Sequence, residues 1–106
     1  MKAENEIRYI FEKYIDLIKD KGHLGEIVFF FNEENIAESF IRRGNMSGND
    51  FQRQIHEVGK NSKPKITLMV GNGQMSIAHH KSKITSIFVQ KNPEENKPWE
   101  GWEEIW

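Results

Sequence analysis

Ile66-Thr-Leu-Met-Val-Gly71-Asn72-Gly73-Gln74-Met-Ser-Ile-Ala-His79 is the stretch that decides the fold. Asn-Gly between two apolar runs specifies a two-residue type I′ hairpin, because both turn residues need positive φ. With Asn72 and Gly73 as the loop, Gly71 faces Gln74, Val70 faces Met75, Leu68 faces Ile77 and Ile66 faces His79. That face is apolar except for His79. The other pairs Met69 with Ser76, Thr67 with Ala78 and Lys65 with His80. One apolar and one half-polar face is the pattern of an antiparallel hairpin lying on a core.

A further strand follows over 84–90, after a turn at Lys81-Ser82-Lys83 that contains no glycine. Either Ile84 and Phe88 or Ile87 and Val89 face its core side. Upstream, Ile27-Val-Phe-Phe-Phe31 is too short for a helix, rich in β-formers and apolar at every position, so it reads as a strand covered on both faces. Ile7, Ile10, Phe11, Tyr14, Leu17 and Ile18 recur at steps of three and four and predict a first helix, stopped by Gly22. A second helix is expected from an Asn32 cap, with Glu33 and Glu34 in its first turn, Ile36, Phe40 and Ile41 inward, and Arg42-Arg43-Gly44 closing it. A third begins near Asn49 with Gln52 as capping partner, buries Phe51, Ile55 and Val58, and ends at Gly59. These elements predict an α+β fold, order α-β-α-α-β-β-β. Three helices pack on a mixed, mostly antiparallel four-stranded sheet, and the helical crossover allows its first two strands to run parallel.

The chain has 106 residues, no Cys, 15 basic and 16 acidic side chains and a formal net charge of -1. Its length suits one domain. Without Cys there is no disulfide framework, thiol nucleophile or thiolate metal site. The longest apolar run, Ile27 to Phe31, is far short of the roughly 18 residues of a membrane span. No leader-like stretch opens the chain, and a cytoplasmic location is expected. The balanced charge gives no general attraction to nucleic acid.

Charge is unevenly placed, however. Residues 91–106 carry two lysines against five glutamates, a net of -3, and hold all three tryptophans. The expected organisation is one α+β domain over 1–90 and an acidic, Trp-rich tail over 91–106 docked on it. Trp99, Trp102 and Trp106 follow helical steps after Pro98, so a short helix would gather the three indoles, although Gly101 weakens it. Each indole buries on the order of 200 Å², too much to leave in water. The half-polar face with Thr67, Met69, Ser76 and Ala78 is the expected seat.

Two chemistries follow. In the first, Trp99, Trp102 and Trp106 anchor a partner protein while Glu100, Glu103 and Glu104 steer toward its basic surface. In size, lack of cysteine and acidic aromatic end, the chain resembles small bacterial toxin-immunity proteins and phage anti-defence proteins. That resemblance implies an inhibitor that occludes its partner; separately, the short apolar runs and the absence of binding motifs predict no membrane, cofactor or metal. The alternative is a small ribonuclease-like enzyme or phosphate binder using Lys65, His79, His80, Lys81 and Lys83, which meet at the sheet end opposite the Asn-Gly turn. The same lysines also suit a plainer use, blocking edge-to-edge pairing. A metal site from His56, Glu57 and one of His79 or His80 is not expected, since adjacent strand residues point to opposite faces. A homo-oligomer joined through a sheet edge is a third reading.

Overall fold

The computed structural model of the protein describes residues 2–33 and 36–106. Its elements are α1 (Lys2–Lys21), β1 (Ile27–Glu33), β2 (Ile36–Arg42), α2 (Gly48–Ser62), β3 (Ile66–Gly71), β4 (Gln74–His79), β5 (Ile84–Gln90) and β6 (Trp102–Glu104). The fold is α+β, with two helices and one antiparallel six-stranded sheet of order β2-β1-β3-β4-β5-β6.

The β3–β4 hairpin has the register set by its turn, from Gly71 opposite Gln74 to Ile66 opposite His79, and both Asn72 and Gly73 have positive φ. Helix α1 also follows its pattern: Ile7, Ile10, Tyr14 and Ile18 are buried, and the Gly22 N–H closes the last turn on the Ile18 carbonyl. β1 is buried on both faces. Ile27, Phe29 and Phe31 join the core beneath α1 with Leu68, Met75 and Ile77, whereas Val28 and Phe30 join a smaller core with Phe51 of α2. Each such side chain contributes roughly 1.5–3 kcal/mol through burial.

The segment expected as a second helix is instead β2, paired antiparallel with β1. Asn32 and Glu33 lie in β1 rather than in a cap and first turn; the expected place of Glu34 lies outside the described residues. The steps of Ile36, Phe40 and Ile41 fit a helix, but in so short a segment the open edge of β1 selects the strand. Ile41 is buried against α2, while Phe40 points to the other face, 62% exposed, with its ring 5.7 Å from that of Phe29. Because β2 reverses the chain, α2 returns it so that β3 runs antiparallel to β1, and the expected parallel pair does not form.

α2 is shifted relative to expectation. Ser47 is its cap, accepting the Asp50 N–H at 3.1 Å, in place of Asn49. The helix runs through Gly59 to Ser62 and ends at Lys63, in left-handed conformation, whose N–H reaches the Gly59 carbonyl. Gly59 serves packing here: a Cβ would stand 3.3 Å from the Phe30 ring. On β5, Ser86 and Phe88 are buried on the α1 side with Ile84 packed beside them, and Phe88 stacks on Phe11 at 4.2 Å. Lys83 supplies the positive φ at the glycine-free turn.

The tail forms a loop and the short strand β6 on the β5 edge, not a helix. Gly101 decides this. Its φ is positive, a Cβ there would meet the Asn96 amide at 2.6 Å, and its carbonyl accepts the Lys91 N–H. Trp99 and Trp102 pack on the α1-side core, and the Trp102 indole donates to the Pro98 carbonyl at 2.8 Å. The register of Trp102 opposite Gln90 puts it on the Phe88 face, so the seat is not the face of Thr67, Met69, Ser76 and Ala78.

Two measurements check this arrangement. Ile41→Ala is expected to cost about 2–4 kcal/mol in urea unfolding and Phe40→Ala about 1 or less, and the opposite order would reject the strand. Burial pushes the Tyr14 phenol up to about 12 from 10.0. An unfolded chain ionises this group first, so the contribution is whole below pH 10 and fades between pH 10 and 12, by up to roughly 3 kcal/mol. Tyr14→Phe should flatten that part of the stability profile, and an unchanged slope would contradict it.

Candidate functional site

Strand alternation sorts the Lys/His group onto two faces. His79 is buried beneath α1, where its Nδ1 accepts the Ser82 N–H at 3.3 Å, which leaves Nε2 to donate to Glu6 Oε2 at 2.6 Å. Lys65 Nζ approaches the other oxygen of the same buried carboxylate at 3.4 Å. Glu6 therefore ties α1 to the end of the sheet through two cations or donors from different strands. His80 is on the opposite face, exposed, with Nε2 2.7 Å from Thr67 Oγ1. Lys81 and Lys83 are exposed in the β4–β5 turn. The five residues share one end of the sheet but do not converge on one cleft, and both nitrogens of His79 are occupied. Nothing in the sequence marked Glu6, which sits 73 residues from its partner His79. Among the described residues no three His, Asp or Glu side chains gather as metal ligands.

The tail residues divide differently. Trp99 and Trp102 are structural, and Lys97 lies 5.5 Å over the Trp99 ring. Glu100 Oε1 accepts the Lys97 N–H at 2.9 Å and so holds the loop. Glu103 pairs with Lys91 at 2.7 Å, and this carboxylate raises the Lys91 ammonium above the usual lysine range. Glu104 projects to the α1 side, 4.0 Å from Arg8. Beyond it, Ile105 is 58% and Trp106 78% exposed, though the Ile105 N–H is fixed to the Ile87 carbonyl at 2.9 Å.

Glu104, Ile105 and Trp106 form one wall of a cleft of about 730 Å³. The first turns of α1 form the other wall with Glu4 and Arg8, and Ile84, Ser86 and Phe88 line its base. Two carboxylates against one guanidinium give the lining a negative balance. An indole on the rim, an apolar base and an acidic wall suit a basic, partly apolar side chain from outside. Around the β5 edge, half-buried Ile87 and Val89 lie on the opposite face, with Ile105 beside them. The spacing of Trp106 was legible in the sequence, but the α1 wall was not, because it is brought in by the sheet.

No family model matches the chain, and no curated protein or solved structure matches it either.

The Glu6–His79 contact yields a thermodynamic test. Removing Glu6 takes the acceptor from buried His79 Nε2, and removing His79 takes one donor from the buried Glu6 carboxylate, which keeps Lys65; either change costs up to about 3 kcal/mol. Glu6→Leu combined with His79→Leu should cost at least about 1 kcal/mol less than the sum of the single changes in urea unfolding. Additive losses would show that the two groups are not coupled.

Proposed function

We propose that the protein is a small protein-binding module, an inhibitor of the toxin-immunity or phage anti-defence kind, that covers a basic surface of its partner. The observation that carries this reading is the Trp106 indole, 78% exposed on the rim of a cleft whose lining includes Glu4 and Glu104. A tryptophan held in water has no role in its own core, and indoles at the centre of an interface are the commonest energetic anchors. The backbone bond of Ile105 to β5 holds the segment before contact, which lowers the ordering cost of binding. Of the six tail residues, Trp106 and Glu104 then meet the partner directly. Trp99, Trp102 and Glu100 position the loop, and Glu103 contributes charge from the far side of β6. Occlusion is steric at the indole and electrostatic at the carboxylates.

Trp106→Ala and Glu104→Lys leave the packing of Trp99 and Trp102 intact, unlike removal of the whole tail. With a partner identified by co-purification and by its neighbouring gene, Trp106→Ala is expected to weaken binding by about 2 kcal/mol or more in calorimetry. Glu104→Lys should slow association and reduce its salt dependence. Wild-type affinity in both variants would dispose of the tail mechanism.

A further inference from the structure

A second recess lies on the opposite face, between the C-terminal half of α2, Phe30 of β1 and Thr67 of β3. It is a shallow, open recess of about 430 Å³. Its apolar lining comes from Phe30, Ile55, Gly59 and Pro64, and its polar rim from His56, Lys60, Lys63, Thr67 and His80. Among the described residues no carboxylate lines it. The acids of α2, Asp50 and Glu57, line a separate groove with Met46, Arg53 and Gln54. Lys60 and Lys63 are exposed, and among the described residues neither has a carboxylate partner. They are not needed to close the helix end either, because the Lys63 N–H binds the Gly59 carbonyl and Ser62 Oγ binds the Val58 carbonyl. Gly59 admits the Phe30 ring beside the helix, at a position where glycine weakens a helix relative to alanine.

We propose that this recess binds a small aromatic anion, one or two rings carrying a phosphate-like head, with the rings against Ile55, Pro64 and Phe30 and the head between Lys60 and Lys63. Charge complementarity supports that occupant: among the described residues the rim is cationic or neutral, in a chain whose formal net charge is -1. Among the described residues the lining offers no Asn or Gln amide to read a base edge, so the recognised features are charge and a flat apolar body. His80 is held in place by Thr67 and by its own N–H on the Lys65 carbonyl at 3.0 Å. Of the Lys/His group only His80 lines this recess, where it joins Lys60 and Lys63 instead of His79. It does not depend on the Trp106 cleft, and the two stand or fall separately.

The test uses 1-naphthyl phosphate as probe, with inorganic phosphate as head alone and 1-naphthol as body alone, followed by amide NMR and calorimetry. Saturable binding of the naphthyl phosphate is expected, with shifts confined to residues 30, 55–67 and 80 and each fragment at least about tenfold weaker. The Lys60→Ala/Lys63→Ala variant should raise Kd about tenfold or more while its other amide signals stay in place. Absence of saturable binding, equal affinity for 1-naphthol, or shifts centred on the Trp106 cleft would overturn the proposal. So would self-association in light scattering that is lost in both Trp106→Ala and Lys60→Ala/Lys63→Ala, since the occupant would then be a second copy.

Discussion

Burial of β1 on both faces is the constraint on which the rest depends. Five consecutive apolar residues, Ile27 to Phe31, cannot be half-solvated, so the strand needs neighbours on both edges and a layer on both faces. β2 and β3 supply the edges, and α1 and α2 the layers. A helix about 10 Å wide spans roughly two strands at about 4.8 Å spacing, so two helices do not cover both faces of six strands. On the α1 side the deficit is met by Trp99 and Trp102, which extend the layer beyond Phe11 and Phe88. On the other side α2 packs on β1 and β2, and Ser76, Ala78, Thr85, Ile87 and Val89 remain only partly covered or exposed. Both candidate binding surfaces lie at the margins of these two incomplete layers.

The same geometry distributes the charge. A period of two places His79 and His80 on opposite faces, one bound to Glu6 under α1 and the other beside α2. The buried carboxylate gathers its donors inside, where low dielectric strengthens the contact and makes an unpaired member costly. The acidic tail meets Lys91 and Arg8 at the surface, where such pairs contribute little to stability and still shape the field a partner encounters. One acidic and one basic surface can therefore coexist on a nearly neutral chain.

Local signals determined a good part of this protein. The Asn-Gly turn set the hairpin register because only a few turn geometries match strand twist, and the 3.6-residue stripe set α1 because its apolar side chains repeat beyond a single turn. The double-faced character of β1 was equally plain from five apolar residues in a row. The segment 36–42 was not decided locally. Its apolar spacing fits the helical period, and the unpaired edge of β1, a property of the assembled sheet, overrode it. The tail was read by its tryptophan spacing, yet the positive φ of Gly101 and the waiting edge of β5 made it a strand. Glu6 beside His79, Trp106 opposite the α1 wall and His80 beside Lys60 are likewise products of tertiary structure. Each joins residues far apart in the chain, and such contacts depend on how the layers stack, which no short window of sequence records.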